Sequence, residues 1–189
     1  MKAEAHAARW DAGAEGERRT AVTVQALAAE GWFGLFDRAI PGLRVANADI
    51  VLITPAGNVL VVDAKLWHRR AEVRTDGRSL HHGDKDYSCA LRSLRVEKAR
   101  IQEALQDALR KQGHSLEQVR RLSVTALIAM HNAPVAGGGF TVDGIRVVPA
   151  ERLLPVLRGL VGTPDPMWSG TVAAVASTTL PRYEAGGRR

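Results

Sequence analysis

The chain has a single cysteine, Cys89, in 189 residues. That excludes an internal disulfide and a structural zinc site built on cysteine alone. No apolar run approaches the ~20 residues that a membrane-spanning helix needs. The opening MKAEAHAARWDAG has no apolar core of the kind a secretory signal carries. The expected compartment is therefore the cytoplasm, with no membrane partner. Internal repeats and low-complexity tracts are also absent. What remains is an ordinary globular composition, 46% hydrophobic and 24% charged, at a length that suits one domain. One domain is expected over residues 1–189, with its core at about 11–181 and a frayed tail over 185–189.

The charge is unbalanced. The chain carries a net +6, and 21 of its 26 basic residues are arginine. Excess Arg and Lys suits a polyanion, because they displace counterions from phosphates. An arginine-rich coding bias would produce the same surplus. Residues 66–100 hold nine Lys or Arg against five Asp or Glu. The surplus is therefore concentrated there.

Hydrophobic periodicity predicts a helix over 13–29, with Ala21, Val24 and Ala28 on one face. Strands are predicted over 32–37, 48–54 and 59–65. The second and third are apolar on both faces and form an antiparallel hairpin at the centre of a sheet. A smaller hairpin is expected over 71–82, turning at Asp76-Gly77. Helix follows over 91–112, then strands over 122–130 and 144–148, and helices over 150–160 and 168–179. This α-β-β-β-α-β-β-α order packs as one mixed sheet flanked by helices.

Asp49 opens one of the two best strands, and Asp63 lies near the end of the other. Lys65 follows Asp63 by two and points to the same face. Two accounts compete: a solvated ion pair worth ~0–1 kcal/mol, or two carboxylates converging on a hard divalent cation with a lysine beside the reacting phosphate. Glu17 stands four before Ala21 and seven before Val24, so it begins the buried stripe of the first helix. A carboxylate facing a core needs a partner. That partner is either a cation site or an arginine such as Arg44.

Other candidates are plainer. His81-His82 fits a surface loop better than a metal site. His131 reads as an ordinary polar residue at a strand end. Cys89 has no marked partner for nucleophilic chemistry. Trp67 is either a base-stacking ring or a core-edge residue. Gly137-Gly-Gly139 lacks the features of a phosphate loop and reads as a flexible linker.

Several segments occur in a telling order: Gly13-Ala-Glu-Gly-Glu17, Asp37-Arg-Ala-Ile-Pro41, Asn47-Ala-Asp49, Pro55-Ala-Gly57 and Val61-Val-Asp-Ala-Lys65-Leu-Trp67. The later Asp76-Gly-Arg78, Leu80-His-His-Gly83 and Val142-Asp-Gly-Ile-Arg-Val147 fit the same pattern. As a set they resemble the nuclease-related domain (NERD) family of the PD-(D/E)XK nuclease superfamily. The resemblance implies a restriction-endonuclease-like α-β-β-β-α-β core and metal-dependent hydrolysis of phosphodiester bonds in DNA, with RNA not excluded. A non-catalytic nucleic-acid-binding module of the same fold is the alternative. The resemblance further implies Asp49, Asp63 and the Ala64 carbonyl as holders of Mg²⁺ or Mn²⁺, with Glu17 as ligand or neighbour. Lys65 would position the water. Family members often carry a glutamine at the start of the helix after the D-x-K strand, and Ser88–Arg95 has none. Arg92, Arg95 or Lys98 would contact phosphate instead, with Arg69 and Arg70 on the same basic stretch.

The site also imposes a condition on the hairpin. A four-residue loop over 55–58 would set Thr54 opposite Val59, and Asp49 opposite Ala64. The two aspartates would then face opposite sides. A shared site requires a three- or five-residue loop, or a β-bulge.

Overall fold

The computed structural model describes residues 2–43 and 46–183, with side chains from Gly13 onward. Arg44 and the tail at 185–189 lie outside the described residues. The chain opens with helix α1 (Lys2–Gln25) and a 3₁₀ turn (Ala26–Glu30). Strands β1 (Phe33–Ala39), β2 (Asn47–Ile53) and β3 (Val59–Leu66) follow. Three short strands come next: β4 (Val73–Thr75), β5 (Leu80–His82) and β6 (Lys85–Asp86). Then come α2 (Ser88–Lys111), α3 (Leu116–Arg121) and β7 (Val124–His131). The chain finishes with β8 (Phe140–Val142), β9 (Ile145–Pro149), α4 (Leu153–Arg158) and α5 (Pro166–Thr179).

The main sheet has the order β1-β2-β3-β7-β9-β8, and β4-β5-β6 form a second, small sheet. β1, β2 and β3 run antiparallel, and β7 joins β3 in parallel after the α2 crossover. The expected core is therefore present as α1-β1-β2-β3-α2-β7. It is a mixed α/β sheet with helices on both faces. Among the described residues no helix is long and apolar enough to cross a membrane.

Alternation along the strands builds the two layers. Ile50, Leu52, Leu60 and Val62 pack with Val24 and Leu27 of the first helical segment and with Leu153 and Leu157 of α4. Val51, Ile53, Val59 and Val61 face the other way, onto Leu91, Leu94, Ile101, Leu105 and Leu109 of α2 and onto Val172 and Val175 of α5. Burying each such side chain contributes about 1.5–3 kcal/mol. The α2 stripe recurs at helical spacing, and Gly113, at φ 84°, turns the chain away afterwards.

The β2–β3 loop has five residues, Thr54 to Asn58, because Ile53 pairs with Val59. Thr54 closes it: its N–H donates to the Asn58 carbonyl at 2.8 Å, and its hydroxyl accepts from the N–H groups of Ala56 and Asn58. Helix α5 clamps this loop. The Ser169 hydroxyl donates to the Thr54 carbonyl at 2.7 Å, and the Asp165 N–H donates to the Pro55 carbonyl at 2.8 Å.

Several expectations need correction. α1 starts well before residue 13 and tightens into a 3₁₀ turn after Gln25. The change from 3.6 to 3.0 residues per turn rotates Ala28 out to solvent, and Leu27 takes the buried place. The buried stripe is Gly16, Thr20, Val24 and Leu27. His81-His82 form strand β5 rather than a loop, and His82 is buried. Residues 136–138 make a 3₁₀ turn instead of an open linker. Helix α3, strands β6 and β8, and the start of α5 at Pro166 are additions. α3 carries a Ser115–Gln118 capping box, and Asp165 caps α5 by accepting from the Trp168 N–H at 3.0 Å.

Candidate active site

The five-residue loop decides which side chains meet. The β2–β3 ladder pairs Ile53 with Val59 through to Ile50 with Val62. One step further, Asp49 stands opposite Asp63. Directly opposed residues of an antiparallel pair project to the same side. Both aspartates therefore share a face, which is the condition the site imposes. The ladder then opens. The Ala64 N–H meets Asp49 Oδ2 at 3.1 Å in place of a main-chain acceptor. In an extended strand the carbonyl of a residue lies on the same edge as its N–H, so the Ala64 carbonyl also faces β2.

Lys65 lies beside Asp63, with Nζ 2.6 Å from Oδ1. Burial works against the ammonium. Asp63, by its field and its hydrogen bond, together with Asp49 and Glu97, outweighs burial and holds Lys65 above the usual lysine range. It is therefore a protonated donor at neutral pH and not a base.

Glu17 is half-buried on α1. Close packing of that helix on the end of β3 brings it in: a Cβ on Gly16 would stand 3.2 Å from the Leu66 Cβ. Burial, Asp37 and Asp63 push its carboxyl up, with Lys65 opposing. Asp49 is driven furthest. Burial first, then Asp63 and Glu17, raise it to about 8 against the pull of the Ala64 N–H and Lys65. These carboxylates are crowded and under-compensated.

Two further acidic residues belong to the same neighbourhood, and neither figures among the expected site residues. Glu97 of α2 lines a small cleft of about 170 Å³ with Asp63, Lys65, Cys89 and Ser93. Burial and then Asp63 raise its carboxyl to about 7. It lies three after Leu94 and four before Ile101, on the buried stripe of its helix. The criterion that singles out Glu17 also finds Glu97. Asp37 lies between Phe36 and Arg38, which pair with Ile50 and Ala48, and so it falls across from Asp49 on the other side of β2. Its φ of 51° is unusual for a non-glycine residue, and its carboxylate accepts from Asn47 Nδ2 at 2.8 Å. No periodic pattern in the sequence marks it.

The donor types suit a hard divalent cation: two carboxylates and a main-chain carbonyl, crowded enough that a cation would offset their repulsion. Among the described residues no group of three or more His, Cys, Asp or Glu side chains is arranged to enclose a metal ion by itself.

The basic candidates distribute unevenly. Arg69 and Arg70 are exposed in the turn after β3, and Arg92 is exposed on α2. Arg95 is also exposed but forms an ion pair with Asp143 of the β8–β9 turn. Lys98 sits with Arg95 in an outer groove of α2. The α2 positions that line the cleft are Cys89, Ala90, Ser93, Leu94 and Glu97. Arg92 and Arg95 are therefore not on the cleft wall. His131, by contrast, is buried, and its Nε2 lies 2.7 Å from the Thr20 hydroxyl, which ties α1 to β7.

A family model described as nuclease-related domain matches residues 12–131. That span runs from within α1 to the end of β7 and contains Glu17, Asp49, Asp63, Lys65 and Glu97. Comparison with curated proteins and with solved structures finds no match to either.

Proposed function

This chain belongs to the nuclease-related domain family, and from that premise we propose that it hydrolyses phosphodiester bonds in DNA with the help of Mg²⁺ or Mn²⁺. The observation that carries this reading is Asp49 opposed to Asp63, with Lys65 on the same face and Glu17 beside them. Asp49, Asp63 and the Ala64 carbonyl would hold the cation, with Glu17 as ligand or as the neighbour that orients its water shell. A cation bound there supplies Lewis-acid chemistry, activating water and offsetting charge on the phosphate.

The remaining roles fall to the chain's own groups. Lys65 keeps its proton, so it donates to the attacking water or to a phosphate oxygen and stabilises the charge that develops there. Asp63 fixes the Lys65 ammonium from one side, and Glu97 adds negative field from α2. Asp49 is anchored by the Ala64 N–H, which limits its rotamer freedom. The exposed arginines at 69, 70 and 92 would meet the phosphate backbone.

A second reading, a module that binds nucleic acid without cleaving it, draws support from the direct Asp63–Lys65 pair and from the lack of a ready-made metal cage among the described residues. One assay separates the two. Supercoiled, linear and single-stranded DNA, and an RNA of similar length, are incubated with Mg²⁺, Mn²⁺ or EDTA. Cleavage that needs the cation and vanishes in Asp63→Asn is the expected result. Binding without cleavage under every condition selects the second reading.

A further inference from the structure

A chain of aromatic rings lies immediately beyond the site. Trp67 and Tyr87 have centroids 4.4 Å apart, Trp67 and His82 5.0 Å, and His82 and His68 4.4 Å. The inner members are fixed. Trp67 and Tyr87 pack against the core, and His82 is only 5% exposed. The outer member, His68, is exposed to solvent but held twice: its ring lies against His82, and its carbonyl accepts from His82 Nε2 at 3.0 Å. Arg69 and Arg70 follow it directly, both exposed.

Only Trp67 and His82 are near parallel, at 29°, while Tyr87 and His68 are tilted against them at 39° and 48°, and the position of this ring cluster suits a substrate strand. His68 is three residues after Lys65, a reach of at most ~11 Å. Tyr87 immediately precedes α2, whose first turns carry Cys89, Ala90 and Ser93 into the cleft with Asp63 and Lys65. A supported ring face next to two arginines offers a base something to stack on and its phosphates something to pair with. Bases inside a duplex are already stacked on their neighbours and cannot reach such a platform. We propose that His68, backed by His82, Trp67 and Tyr87, is a stacking platform for an unpaired base, so that this protein engages single-stranded stretches of DNA next to the cleavage site. This rests on the nucleic-acid reading of the site.

The test measures binding alone, in EDTA, so that cleavage plays no part. Three fluorescein-labelled probes of 15 nucleotides are titrated by polarisation: oligo(dT), an abasic strand of equal charge, and a duplex. Oligo(dT) is expected to bind about ten-fold more tightly than the abasic strand, the scale of one base–aromatic stack. His68→Ala should remove that advantage and leave abasic affinity unchanged, and His68→Phe should restore it. Equal affinity for oligo(dT) and the abasic strand, or a preference for duplex, overturns the platform while leaving the nucleic-acid reading intact. No binding of any probe at low salt overturns both.

Discussion

Asp49 falls across from Asp63 where the β2–β3 register continues past its last pair, Ile50 with Val62, and the Ala64 N–H donates to Asp49 Oδ2 at 3.1 Å. This relationship depends on a loop far from the carboxylates. A loop one residue shorter or longer would shift the register by one and turn one aspartate to the opposite face.

Gly57 is the residue on which that loop turns. Its φ is +80°, and a Cβ placed there would stand 2.3 Å from Trp168 Cδ1. Gly57→Ala therefore combines a left-handed backbone with an overlap against a buried ring. A loss on the order of 2–4 kcal/mol is expected, read as a lower urea midpoint at unchanged slope. Gly42→Ala is the control, since its φ is +81° but nothing lies within 4 Å of the added carbon. It should lose only the backbone part of the cost.

Stability in the absence of metal should fall as pH rises from about 4 to 8. The folded state holds Asp49 at about 8 and Glu97 at about 7, above their unfolded values, and Glu17 is raised as well. A carboxyl with a raised folded pKa favours the folded state when protonated. Its contribution is complete below the unfolded pKa and is lost as pH climbs through the folded one. Thermal unfolding in EDTA should therefore give a lower Tm at pH 8 than at pH 5, and Asp49→Asn should flatten that slope. Added Mg²⁺ should raise Tm more at pH 8 than at pH 5. An Asp49→Asn protein with an unchanged pH slope would show that the crowding at Asp49 does not govern stability.

Much of this arrangement was legible in the chain itself, for physical reasons. Ile50 to Ile53 and Val59 to Val62 are apolar on both faces, and only central strands need that. A charge terminating such a strand stands out. Glu17 was legible because its spacing to Val24 pointed toward a buried stripe, although that stripe begins at Gly16 and leaves Glu17 half-buried at its edge. Glu97 satisfies the same rule within α2, but it stands between Arg95 and Lys98, so the local sequence reads as the basic outer face of that helix. Asp37 had no periodic signature, since its place depends on the β1–β2 register and a left-handed backbone. The pairing of Arg95 with Asp143 joins residues 48 apart in the chain, a contact that only the packed fold reveals.

That pairing gives the arginines different weights in the proposed DNA binding. Arg69 and Arg70 are exposed beside the site, whereas Arg95 already has Asp143 as a counter-ion. Arg69→Ala and Arg70→Ala should each lower the slope of log affinity against log salt by about one. Arg95→Ala should change it less. Titrations at several salt concentrations on one duplex distinguish these outcomes. An Arg95 effect as large as that of Arg69 would mean that the Asp143 pair opens when DNA binds.

Lys65 offers the sharpest test of the chemistry. Its ammonium is held in place by Asp63 at 2.6 Å and kept charged by Asp63, Asp49 and Glu97 despite burial. In the proposed hydrolysis, a donor fixed in this way would act mainly on the transition state, where negative charge builds on the phosphate. Its removal should therefore lower turnover far more than it lowers affinity, on the order of 100-fold in rate. Lys65→Ala should keep DNA affinity within a few-fold of the parent in EDTA, since the exposed arginines are untouched. Lys65→Arg keeps the charge but replaces a compact ammonium with a wide planar fork, so it should recover only part of the rate. Single-turnover cleavage, measured with enzyme in excess, isolates this step from product release. A Lys65→Ala protein that cleaves at the parent rate would remove Lys65 from the mechanism and leave the pair with Asp63 as a structural ion pair at the strand end.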